Sequence, residues 1–253
     1  MSISTFLHNR TQTTKRCQAN RGQQPQRRPG LRLLALLLAC TLGLSLIRPA
    51  LAALVWQIQV VDSVGDVGEW TSLRLDSSGN PVISYFDNTH YDLKLVHCGD
   101  ATCTSNNTIQ TIESAGDVGY YSSLALDSVG RPVISYFDYS GSHLKLARCG
   151  NATCSSGNTI QIVDNSYLTA YHSLALDSRD FPVISYVDAL NRHLKLAHCG
   201  NATCSSDNTI VTVDSIGSFG FDVSLTLDSN GYPVISYFST GNLKLAHCGD
   251  ATC

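Results

Sequence analysis

The chain has 253 residues, of which 43% are hydrophobic and 15% charged, and its formal net charge is -3. That total hides two opposite parts. Residues 1–52 hold eight of the seventeen bases and no acid, leaving nine bases against all twenty acids in residues 53–253, a net of -11. An acidic body argues against a surface that tracks nucleic-acid phosphates, which depends on Lys and Arg displacing counterions.

In chain order, the basic stretch runs into Leu33–Ile47, LLALLLACTLGLSLI, which has no charge, and then Ala50-Leu51-Ala52, the small-residue pattern of a signal-peptidase site. Residues 1–52 are therefore expected to be a basic leader and signal peptide that exports residues 53–253. An uncleaved membrane anchor is the competing reading, because the apolar run continues through Val55 and spans a bilayer if Arg48 is tolerated. The LLAC at Leu37–Cys40 resembles a lipoprotein acylation site only weakly, since the apolar run continues past the cysteine.

The body is repetitive. Asp76, Asp127, Asp177 and Asp228 recur at spacings of 51, 50 and 51, and Pro81, Pro132, Pro182 and Pro233 keep step with them. One period holds four short β-patterns: SLALD (Ser123–Asp127), PVISYFD (Pro132–Asp138), HLKLARC (His143–Cys149) and TIQIVD (Thr159–Asp164). The first pair is joined by an Asp-Ser-x-Gly turn, in which Asp accepts backbone N–H bonds and Gly tolerates positive φ. Glu69 and Glu113 are the only glutamates in the body, and nothing there reads as an amphipathic helix.

Four strands per unit of about fifty residues fit a β-propeller blade better than a solenoid turn. The fourth pattern also occurs before the first unit, as QIQVVD (Gln57–Asp62), whereas the last unit stops at LKLAHCGDATC without one. The fold class expected is all-β, a propeller of four blades of four antiparallel strands over residues 53–253. It is closed by the Gln57 strand pairing with Leu243–Cys248 to complete the last blade and remove two sheet edges. The alternative is a piece of a longer array.

The run SLALDSxGxPVISYxD followed by LKLAHC resembles the tandem repeats of exported bacterial β-propeller proteins, and is more distantly similar to NHL-type and sialidase-type blades. The resemblance covers nearly all of residues 57–253 and implies a fold and a secreted or cell-surface setting, without an activity. The loop CGNATC departs from it, standing where a Gly-Ser-Trp-like turn is expected.

Eight cysteines form four Cys-x4-Cys pairs: Cys98 with Cys103, Cys149 with Cys154, Cys199 with Cys204, and Cys248 with Cys253. Even count, repetition and export favour local disulfides, each contributing about 2 kcal/mol by loop closure. Zinc thiolate sites more often use Cys-x2-Cys, and pairs in separate blades stand too far apart to share a metal. No metal and no cofactor is expected.

Loops after the second and fourth strands share one face of the disc, and its inner positions vary: Glu69 and Trp70, Tyr120 and Tyr121, Tyr171 and His172, Phe221 and Asp222. Aromatic faces with a few polar groups suit a carbohydrate or peptide ligand. The competing reading is a plug that staples the blades together. Asp87, Asp138 and Asp188, with Ser239 in the fourth copy, end the second strand and read as turn caps before Ca²⁺ ligands. Lys94, Lys145, Lys195 and Lys244 share one repeat position, which points to a structural pairing, as with the second-strand Asp.

Catalysis needs unlike groups gathered at one place, and the body's arginines are scattered over different repeat positions. Glu69 alone falls short of the two carboxylates of glycoside hydrolysis. The expectation is a secreted or cell-surface, non-catalytic monomer that presents its varied face to a glycan or extracellular protein. It binds no nucleic acid and meets a membrane only through an uncleaved leader. A sialidase-like hydrolase or lyase, and a structural or truncated repeat fragment, are the alternatives.

Overall fold

The computed structural model describes residues 56–165, 171–215 and 222–253; the leader reading of residues 1–52 and the candidate Phe221 lie outside them. The described residues form fifteen strands in four antiparallel sheets. The first sheet is β1 (Val67–Leu75), β2 (Pro81–Asp87), β3 (Asp92–His97) and β4 (Thr108–Glu113), hydrogen-bonded in that order. The second is β5 (Val118–Leu126), β6 (Pro132–Asp138), β7 (His143–Arg148) and β8 (Thr159–Asp164). The third is β9 (His172–Leu176), β10 (Pro182–Asp188), β11 (His193–His198) and β12 (Thr209–Ser215). The fourth has three strands, β13 (Val223–Leu227), β14 (Pro233–Ser239) and β15 (Asn242–His247).

Local chemistry sets each boundary. In the first turn the Asp76 carboxylate accepts from the N–H groups of Ser78 and Asn80 at 2.8 and 2.9 Å, and Asp127, Asp177 and Asp228 repeat the arrangement. A proline opens each second strand, where its missing N–H costs no ladder bond, and its carbonyl accepts the N–H of the first cysteine of the following loop at 2.9 Å. All four cysteine pairs are disulfides, with Cα separations of 4.7–4.8 Å.

The middle strands carry the core. Every residue of β6 and β10 is buried, because sheets pack against both faces of these PVISY segments. Separate apolar clusters fill the spaces between the first and second, second and third, and third and fourth sheets. The innermost strands β1, β5, β9 and β13 pack in succession. A serine stitches each to the next: Ser72 Oγ accepts the Leu124 N–H at 3.0 Å, Ser123 Oγ that of Leu174 at 3.1 Å, and Ser173 Oγ that of Leu225 at 3.1 Å. Gly119 lets β5 approach β3 closely, since a Cβ there would lie 2.8 Å from the Leu93 Cα.

One expectation is corrected. The innermost strand does not begin at SLALD: β1 and β5 start five residues earlier, through irregular pairing that shifts register twice. Gln57–Asp62 forms no strand, and β15 is hydrogen-bonded on one side only, to β14. Val61 instead packs with Tyr85 and Val96 on the outer side of the first sheet, and Asp62 is tied there by Tyr85 and Lys94. These contacts hold the end of the segment to the first sheet, while Trp56, Ile58 and Val60 remain exposed.

Candidate functional site

Register shifts at the start of β1 and β5 are β-bulges, which re-aim side chains. They carry Trp70 and Tyr121 into the left-handed region, with φ of 47° and 57°, and Asp222 takes the same conformation at 63°. Such backbone is unfavourable for aromatic residues and persists only where the surroundings impose it. Gly68 and Gly119, at φ of 101° and 106°, precede the two aromatics and make the bend accessible.

Residues from all four repeats line one open cavity, here termed the axial cavity, of about 520 Å³. Trp70, Tyr121, Tyr171, His172 and Asp222 line it, and Tyr237, Phe238 and Leu243 add a wall from the fourth sheet. Trp70 and Tyr121 have ring centroids 4.9 Å apart, and Tyr121 and Tyr171 5.4 Å, all tilted. Burial, then the neighbouring Tyr171 and the Glu69 carboxylate, raise the Tyr121 hydroxyl above the ordinary phenol range.

Trp70, Tyr121, Tyr171 and Asp222 are therefore brought together, and His172 joins them one register position further on. Glu69 and Tyr120 do not line the cavity. Glu69 is exposed, while Tyr120 packs behind Trp70 at 4.5 Å and against Phe86 at 4.4 Å, its hydroxyl donating to Asp117 at 3.1 Å. The cavity is thus ringed by Trp70, Tyr121, Tyr171 and Asp222, one from each repeat, each six residues before a turn aspartate. Counting back from those aspartates finds the set; the adjacent doublets Tyr120-Tyr121 and Tyr171-His172 disguise it. The contribution of Phe238 and Leu243 has no counterpart in that count.

The repeated lysines occupy a second set of sites, between strands. Lys145 Nζ lies 2.7 Å from Glu113 and 2.8 Å from Asp138, and Lys195 lies 3.4 Å from Asp164 and 2.9 Å from Asp188. The second-strand aspartates also cap the adjoining turns, Asp87 accepting from the N–H groups of Thr89 and His90. Burial draws the Lys145 ammonium down, but the hydrogen bonds it donates to the Asp138 and Glu113 carboxylates outweigh this and raise its pKa. Asp62 is pushed up by burial, yet Lys94 and Tyr85 hold it at about 2. Among the described residues no group of three or more His, Cys, Asp or Glu is arranged to hold a metal ion. The turn aspartates instead take His and Arg partners, His97 at 2.9 Å from Asp76, Arg131 and Arg148 at 2.8 and 2.6 Å from Asp127, and Arg179 and His198 at 2.8 and 3.3 Å from Asp177.

No protein-family model and no curated protein sequence matches the chain. Among solved structures, a Hadza microbial sialidase is 12% identical with a TM-score of 0.50, over 72% of this chain and 44% of the sialidase. An exo-β-1,3-galactanase from Phanerochaete chrysosporium is 11% identical with a TM-score of 0.49, over 75% of this chain and 48% of that one. An α-L-arabinofuranosidase from Clostridium thermocellum is 9% identical with a TM-score of 0.48, over 72% and 70%. The chain spans less than half the length of the sialidase. The likeness to the sialidase is one of fold: an all-β, propeller-type arrangement of antiparallel sheets.

Proposed function

We propose that the chain is an extracytoplasmic, glycan-active propeller that engages its ligand at the axial cavity. The observation that carries this reading is the cavity itself, in which Trp70, Tyr121 and Tyr171 supply aromatic faces and Asp222 a hydrogen-bond acceptor. Sugar rings present apolar C–H faces and peripheral hydroxyls, the complement of such a lining. The four disulfides support an oxidising compartment, and export through the leader in residues 1–52 accords with it.

Resemblance to a sialidase, a glycan-cleaving enzyme, lends more support to cleavage than to binding alone. Glu69 and Asp222 are the carboxylates that a hydrolytic reading would use. Non-catalytic recognition of a glycan or protein is the second reading, supported by the mutual stacking of the rings. Turnover on a panel of sialosides, arabinans, galactans and xylans, abolished in Glu69→Gln or Asp222→Asn, is expected for a hydrolase. Binding without turnover, weakened in Trp70→Ala, selects recognition, and silence in both assays, on glucosamine polymers as well as on this panel, rejects the cavity as a glycan site.

The cavity also bears on how the ring is sealed. We propose that Gln57–Val61 adds to the outer edge of β15 and completes the fourth sheet, making a closed monomer of four equivalent blades. In support, Leu73 and Leu75 of β1 are 50% and 59% exposed, whereas Leu124 at the matching position is fully buried. Leu243 and Leu245 on β15, and Ile58 and Val60 on the segment, are likewise exposed. Burying each such side chain contributes about 1.5–3 kcal/mol.

A further inference from the structure

We infer that the axial cavity selects glycans bearing protonated amino groups, such as de-N-acetylated hexosamine polymers, over neutral and acidic glycans; this rests on the glycan reading above. Among the described residues, the carboxylate of Asp222 is the one acidic side chain in the lining, and neither Lys nor Arg contributes to it. The Glu69 carboxylate lies close enough to act on Tyr121 from outside the lining. The lining also holds the rings of Trp70, Tyr121 and Tyr171, whose faces carry the negative part of the aromatic quadrupole. Aromatic faces beside a carboxylate attract a cation, Coulomb and cation–π terms acting together.

The bases that would reverse this preference are held elsewhere. Each of Lys94, Lys145, Lys195 and Lys244 has a carboxylate oxygen at 2.7–3.4 Å within or between sheets. Arg131 and Arg148 bind Asp127, and Arg179 binds Asp177, in the turns on the opposite face. Arg74 lines a separate depression at the far end of the axis, and Arg192 sits in the β10–β11 turn outside the lining. A sialic or uronic carboxylate entering the cavity would meet Asp222 without a compensating guanidinium. With a net charge of -11 in residues 53–253, the long-range field points the same way.

The test is calorimetric titration of the purified chain with glucosamine, N-acetylglucosamine and galacturonate oligomers of equal length. It is run at about pH 5.5, where the weakly basic amines of glucosamine oligomers are protonated while ordinary carboxylates stay ionised. Glucosamine oligomers are expected to bind about five-fold or more tightly than the N-acetylated ones. Asp222→Asn, which tolerates the left-handed backbone, and about 0.5 M salt should each remove that margin. Equal affinity for amine and N-acetyl ligands, or preference for galacturonate, overturns the inference and leaves the glycan reading standing. Binding of none of the three overturns this selection, and the sialoside, arabinan, galactan and xylan panel then decides the glycan reading by itself.

Discussion

Asp62 accepts a hydrogen bond from the Tyr85 hydroxyl at 2.6 Å, although the two residues belong to different repeat units. The same relationship joins Glu113 to Tyr136, Asp164 to Tyr186, and Asp214 to Tyr237, and each acid also receives the repeated lysine. The acid that ends one unit's fourth pattern thus docks into the second and third strands of the next. Units are interlocked by charge as well as by apolar contact.

Removing one partner of a buried pair strands the other's charge, a loss of about 3–5 kcal/mol. Lys195→Ala is therefore expected to destabilise the protein by about 3 kcal/mol, since the Asp188 side chain is fully buried. Lys244→Ala should cost about 1 kcal/mol or less, because its side chain is 39% exposed and the fourth copy has Ser239 in place of the second-strand aspartate. Urea unfolding of the two variants measures the difference, and equal losses would contradict it.

Stability should fall at both ends of the pH scale. Asp62, held at about 2, and Asp177, Asp188 and Asp214, held below the ordinary carboxylate value, stabilise the fold above the unfolded pKa near 4. That contribution is lost as pH drops from about 4 toward 2. Lys145 and Lys195 have raised pKa values, so their contribution is complete below about pH 10 and declines above it. Thermal midpoints measured from pH 2 to 11 should form a plateau with these two shoulders.

If Gln57–Val61 completes the fourth sheet, Ile58→Asp and Leu245→Asp should each lower the thermal midpoint. Their double variant should lose less than the sum, as expected for side chains in contact. In the open arrangement both side chains are exposed, and neither substitution should move the midpoint.

Replacing one cysteine pair by alanines, as in Cys149→Ala with Cys154→Ala, is expected to cost about 2 kcal/mol. A second pair removed from another sheet should add its own loss, because each disulfide closes only its own loop. Chemical denaturation of the single- and double-pair variants tests this.

The strand order, the turn aspartates and the cysteine pairing were legible because each depends on local chemistry repeated in register. Pro132 marks a strand start wherever it recurs, and Asp127 marks a turn. The site was half legible. Trp70, Tyr121, Tyr171 and Asp222 stood out as varied positions, but Glu69 and Tyr120 were grouped with them because a bulge obeys no alternation that sequence reveals. The lysines' pairing with second-strand aspartates could be read from the hairpin. The docking of Asp62, Glu113, Asp164 and Asp214 onto the following unit could not, since it depends on how neighbouring sheets stack.

Each disulfide closes a loop of its own sheet, and none ties one sheet to the next. Tension applied to the two ends therefore meets no covalent crossbar between wedges. The chain should pay out wedge by wedge, each step falling short of full extension by the few residues locked inside its cystine ring.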